Sequence, residues 1–234
     1  MATGAIVKAE ALLRWNHPRH GLVLPGEFIA LAEETGLIDD IGAWVLAEAA
    51  GRARAWSALV GAPFQISVNK SPAEFASRST IKNWDAEMAV LGCAGPQIAV
   101  EITEGLLLND TPGILERLDQ VALTGTQLSI DDFGIGYSSM AYLKKFKVDF
   151  LKIDQSFVKE ITANVYSSVF AETIVVMAHK LGLKVIAEGI ETAGQRDFLR
   201  TMECDYAQGF LFSEPVTAAC FERLLSSEAN AARG

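Results

Sequence analysis

The chain has 234 residues, of which 50% are apolar and 21% charged, and a formal net charge of −9. This is globular composition and excludes a disordered chain. The acidity argues against duplex nucleic acid as the main partner, since phosphate backbones need a basic surface, but leaves room for a small phosphate ligand held by local cations or metals.

In chain order, short β-branched runs predict strands at Ala5–Ala9, Phe64–Val68, Gln97–Ile102, Gln127–Ile130, Phe150–Ile153 and Lys184–Ala187, with a short one near Tyr206–Gly209. Helical periodicity between them predicts helices over Ile41–Leu59, about Asn83–Leu91, Gly113–Ala122, Val165–Leu181, Gln195–Met202 and Ala218–Leu225. Gly182 reads as a helix stop, and the small polar stretch Ser226–Gly234 is expected to fray. Strands alternating with helices imply a parallel sheet with crossover helices.

Seven strands fall one short of a closed (β/α)8 barrel. The simplest completion is a strand upstream of Thr3-Gly4, hairpinned onto Ala5–Ala9, so the chain is expected to be a single, N-terminally truncated domain of a longer protein. An open α/β sheet is the alternative. Cys93, Cys204 and Cys220 lie far apart without a CxxC, which points to a reducing, cytoplasmic setting. No apolar run approaches the roughly 18 residues of a membrane span, and no signal-peptide pattern opens the chain, so no membrane contact by this domain is expected.

The strand ends carry the chemistry. Glu10, Asn69, Glu101 with Glu104 beyond it, Asp131-Asp132, Lys152 with Asp154, Glu188 with Glu191, and Gln208 each lie at or just past a predicted strand. Ends of parallel strands converge on one face, where barrel active sites sit. Singly, such a carboxylate is more often a helix cap; seven strand ends polar in the same sense are hard to assign to chance. Crowded carboxylates resist ionisation unless a cation neutralises them. An all-oxygen set without His or Cys suits Mg²⁺ or Mn²⁺ rather than zinc. Adjacent aspartates can serve two ions, the usual apparatus of in-line phosphoryl displacement. Directly after them, in Asp131-Asp132-Phe133-Gly134-Ile135-Gly136-Tyr137-Ser138-Ser139, the glycines Gly134 and Gly136 let the backbone turn tightly near a ligand, as in a mobile active-site loop.

These residues resemble the EAL family of cyclic di-GMP phosphodiesterases from about Ala5 to Pro215. The matching motifs are Glu10-Ala11-Leu12-Leu13-Arg14-Trp15, Ser67-Val68-Asn69, Glu101-Ile102-Thr103-Glu104, Asp131–Ser139, Lys152-Ile153-Asp154, Ala187-Glu188-Gly189-Ile190-Glu191-Thr192 and Gln208-Gly209-Phe210. The resemblance implies a modified (β/α)8 TIM-type barrel whose first strand, antiparallel to the second, is absent here. It implies cleavage of cyclic di-GMP to linear pGpG with two Mg²⁺ or Mn²⁺ ions, Ca²⁺ being inhibitory.

By the same resemblance, Glu10, Asn69, Glu101 and Asp131 would hold one ion, and Asp131 would bridge to a second bound by Asp132 and Glu188. Lys152 would hold or deprotonate the attacking water. Glu191 and Gln208 would orient waters and ligands, Arg14 would pair with a substrate phosphate, and Glu104 would anchor the loop at 133–139. A homodimer and an upstream sensory or diguanylate-cyclase domain are also implied. Ile135 stands where the family usually has Thr or Ala, Lys70 where an apolar residue is usual, and Glu214 where a basic residue usually precedes proline. A sensor that binds cyclic di-GMP without cutting it is the competing reading.

Overall fold

The computed structural model describes residues 1, 3–76, 84–108, 113–136, 143 and 147–231. Asn83, Tyr137, Ser138, Ser139 and residues 232–234, parts of the expected helix, loop and tail, lie outside them. Two compact units of backbone packing emerge, one of residues 7–102 and 110–127, the other of residues 1–6, 103–109 and 128–234.

The first unit holds three parallel strands. Strand β1 (Lys8–Ala11) pairs with β4 (Gln65–Asn69), and β4 with β5 (Ile98–Thr103). Between β1 and β4 come an antiparallel hairpin of β2 (Trp15–His17) and β3 (Gly21–Val23), then helices α1 (Pro25–Thr35) and α2 (Leu37–Val60). Pro25 opens α1, where its missing N–H costs nothing, and the Glu27 carboxylate accepts from the Leu24 N–H. Helix α2 buries Leu46, Ala49, Ala50, Ala53 and Trp56. That spacing of three and four makes one apolar face, and it packs on β4. Trp56 meets Phe64 edge-on at 5.6 Å. Two such aromatic side chains contribute about 1.5–3 kcal/mol each by burial. Short helices α3 (Pro72–Ala76) and α4 (Trp84–Val90) follow β4, and α6 (Ile114–Leu123) also belongs here.

The second unit holds four parallel strands in sequence order: β6 (Gln127–Phe133), β7 (Phe150–Ile153), β8 (Lys184–Ala187) and β9 (Tyr206–Ala207). Helix α5 (Glu104–Leu108) follows β5, and α7 (Gln155–Lys159) with α8 (Val165–Lys180) connects β7 to β8. The α8 exit is a two-bond cap: Gly182, at φ 77°, donates to the His179 carbonyl and Leu183 to that of Ala178. Helix α9 (Ala193–Thr201) opens on a reciprocal cap, Thr192 Oγ1 accepting from the Gln195 N–H while Gln195 Oε1 accepts from the Thr192 N–H. Helix α10 (Ala218–Ala231) closes the chain.

The seven strands, each parallel to its neighbours within its unit and joined through helices, confirm the expected α/β class and follow a (β/α)8-type order. Two expectations need correction. Strand β1 starts at Lys8, not Ala5, because its pairing begins at Lys8 opposite Gln65 and residues 5–7 are exposed. The stretch from Ser226 does not fray at once. Helix α10 runs on to Ala231, with Ser226 and Ser227 donating back to the Glu222 and Leu224 carbonyls and no glycine or proline before Gly234. No helix among the described residues is long and apolar enough to cross a membrane.

Candidate active site

In each unit, strand register decides which side chains share a face. Side chains two apart on a strand point the same way, and paired residues on parallel neighbours do too. Glu10 lies opposite Ser67, Asn69 is two residues beyond Ser67, and Asn69 lies opposite Glu101. Glu10, Asn69 and Glu101 therefore share one face at the C-terminal ends of β1, β4 and β5. Asn69 Nδ2 donates to Glu10 Oε1 at 2.7 Å, and Glu101 is only 2% exposed. Glu10 and Asn69 were expected just past their strands; both lie within them, which fixes their direction through the ladder.

The second unit repeats the device. Lys152 lies opposite Ile186, and Glu188 is two residues beyond Ile186. Lys152 Nζ sits 2.6 Å from Glu188 Oε1 and 3.0 Å from Asp131 Oδ1, its side chain 1% exposed. Asp131, Asp132 and Glu188 each offer an oxygen within 4.8 Å of the other two. The pairing of β6 with β7 shifts between Ile130 and Phe133, so one extra residue is accommodated there. Asp132 takes the left-handed conformation, φ 54°, which aspartate tolerates better than most residues. This bulge turns both aspartates of the pair toward the cluster, and the Asp132 N–H donates to Asp131 Oδ1.

Burial pushes the Asp132 carboxyl above its usual range, the charges of Asp131 and Asp154 push further, a hydrogen bond with Asp154 adds to this, and Lys152 pulls the other way. A carboxyl held above its usual range beside other carboxylates is one a cation would relieve. Its donor set is all oxygen, which fits a hard divalent ion.

Glu104, 7% exposed, accepts from the Gly134 N–H through Oε2. Its other carboxylate oxygen is buried without a hydrogen bond among the described residues. A side chain at Gly136 would lie 3.2 Å from that carboxylate, and one at Gly134, where φ is 102°, would lie 2.6 Å from the Phe170 ring. Both glycines are therefore places where the chain runs against a neighbour, while Ile135 between them is exposed.

Three further candidates have these backbone contacts. Arg14 donates to the Leu13 carbonyl. Glu191 is exposed, with its N–H on Gln195 Oε1. The Gln208 N–H bonds the Ala187 carbonyl, which carries that residue past the end of β9 on the Glu188 side. Sequence reasoning placed Asp154 at a strand end but gave it no role in the site. It stands at a strand end beside Lys152 and also caps α7 by accepting from the Ser156 N–H at 2.8 Å. Its hydrogen-bonding partner Asp132 stands at the bulge.

The family model described as "EAL domain" matches residues 1–215. The bifunctional diguanylate cyclase/cyclic di-GMP phosphodiesterase MucR of Pseudomonas aeruginosa is 40% identical over 226 residues, 97% of this chain and 33% of that protein. The cyclic di-GMP phosphodiesterase NbdA of the same organism is 38% identical over 225 residues, 96% of this chain and 29% of that protein. The chain thus spans about a third of the length of these curated relatives. A solved structure of the PaMucR phosphodiesterase in complex with c-di-GMP superposes with a TM-score of 0.85 at 40% identity, covering 91% of this chain and 86% of that one.

Proposed function

This chain belongs to the EAL domain family, and from that premise we propose that it hydrolyses one phosphodiester bond of cyclic di-GMP, giving linear pGpG, with two divalent cations, Mg²⁺ or Mn²⁺. The observation that carries the reading is the Asp131–Asp132–Glu188 cluster with Lys152 buried against it. Glu10, Asn69 and Glu101 are the proposed ligands of one cation, and Asp131, Asp132 and Glu188 of the other. When bound, such cations offset the charge of the phosphodiester and acidify a water.

The chain's own groups do the rest. Lys152 Nζ, directed by Glu188 and Asp131, holds the attacking water or takes its proton. Arg14 pairs with a substrate phosphate. Glu191 and Gln208 orient ordered waters, a supporting role that such groups commonly fill. Glu104 holds the backbone at Gly134 and so the loop that follows the aspartates. Ca²⁺, which accepts looser and larger coordination, would be held by the same ligands and would support little turnover. The same reading gives a homodimer in a cytoplasmic setting and, in a longer parent protein, a sensory or diguanylate-cyclase neighbour.

Chromatography of cyclic di-GMP incubated with the purified chain tests the proposal. Conversion to pGpG with Mn²⁺ and none with EDTA is expected. Tight binding without conversion would instead make the chain a sensor, the outcome that the Ile135 departure favours.

A further inference from the structure

The proposed reaction leaves unused an ion pair buried beside β4. Lys70 directly follows Asn69. Its Nζ lies 2.6 Å from Glu74 Oε1 on α3, with the two side chains 4% and 3% exposed. The other Glu74 oxygen accepts from the Ser71 N–H at 2.9 Å, and the Trp84 ring lies 6.0 Å from Nζ. Helix α2 closes over the pair at Gly42. A methyl group there would fall 1.7 Å from Glu74 Oε1 and 2.9 Å from Lys70 Nζ. Glycine inside a helix is unfavourable relative to alanine, so its position here marks a close approach.

Stability alone accounts poorly for such a pair. Desolvating an ammonium and a carboxylate is costly, and apolar residues of similar volume often serve stability as well or better. What the pair does supply is position. The Lys70 N–H donates to the Glu101 carbonyl at 3.0 Å, while its side chain is tied to α3 and roofed by α2. The backbone between Asn69 and Ser71 is thereby held from the strand side and the helix side together. Asn69, one residue back, carries the 2.7 Å bond to Glu10. We propose that the buried Lys70–Glu74 pair, seated under Gly42, is a positioning device that sets Glu10, Asn69 and Glu101 at the spacing a divalent cation requires. The inference rests on the metal-dependent reading above and deepens it.

The test is calorimetric titration of metal-free protein with Mn²⁺, paired with thermal unfolding of the same samples. The double variant Lys70→Met/Glu74→Gln removes both charges while nearly keeping their volume. Gly42→Ala keeps the charges and displaces the pair. Both variants are expected to bind Mn²⁺ about ten-fold more weakly than wild type, in the range by which groups supporting metal ligands act. The double variant does so with a metal-free melting temperature close to wild type, which a purely structural role would not produce. Wild-type Mn²⁺ affinity in both variants overturns the inference while leaving the metal reading intact. No saturable Mn²⁺ binding by the wild type overturns the metal reading, and the inference with it.

Discussion

Replacing Lys152 by methionine removes a cation and leaves the volume nearly unchanged. In the structure Nζ ion-pairs with Glu188 at 2.6 Å and Asp131 at 3.0 Å, the lysine side chain being 1% exposed and each carboxylate 17% exposed. Removing one partner of a fully buried pair costs about 3–5 kcal/mol. The two carboxylates keep part of their hydration, which lowers the expected cost to about 2–3 kcal/mol. In a chain of this size that corresponds to a fall of about 4–12 °C in melting temperature without metal. A divalent ion at the same carboxylates supplies the missing positive charge, and a ligand at a hundredfold excess over its dissociation constant contributes about 3 kcal/mol. Scanning calorimetry with and without Mn²⁺ is therefore expected to show a gap between variant and wild type that narrows on metal addition. Turnover falls by about 10²–10⁴, the usual worth of a general base, and Mn²⁺ does not restore it. A gap of the same size with and without Mn²⁺, or retained turnover, refutes the reasoning.

Glu10→Ala removes a carboxylate and the acceptor of the Asn69 bond; metal-dependent turnover is expected to vanish, and near-wild-type rates would break the ligand assignment. Gly134→Ala places a methyl group 2.6 Å from Phe170 at a φ of 102°; a loss of about 1–3 kcal/mol in denaturant unfolding is expected, and unchanged stability would mean the loop yields freely. Burial pushes the Cys204 thiol up to about 12 from an ordinary 9.0. The unfolded chain then loses this proton at lower pH than the folded one, so stability is full below pH 9 and falls as pH rises toward 12. Cys204→Ala is expected to flatten that alkaline decline in melting temperature, and an identical slope would show that the thiol does not contribute.

What the sequence made legible follows from which signals were local. Phe150–Ile153 and Lys184–Ala187 are observed with the bounds their β-branched runs predict. Ala5, Ile6 and Val7 carry the same signal, yet the strand runs from Lys8 to Ala11. Helices α3, α5 and α7 have five residues each, too few for a helical period to register. The β2–β3 hairpin has three-residue strands and was likewise missed.

At the candidate site, the polar strand ends named the residues. The β6 bulge, with Asp132 in the left-handed region, left no mark in the sequence, and neither did the hydrogen bond between Asp132 and Asp154. Lys70 and Glu74 show the spacing of a surface helix pair; only the fold reveals that they are buried.

Anomalous diffraction at the manganese edge, from crystals grown with Mn²⁺, tests the central claim most directly. The account predicts two peaks, one within coordination distance of Glu10, Asn69 and Glu101 and one within that distance of Asp131, Asp132 and Glu188. Peaks at other carboxylates, or none at saturating Mn²⁺, would contradict it.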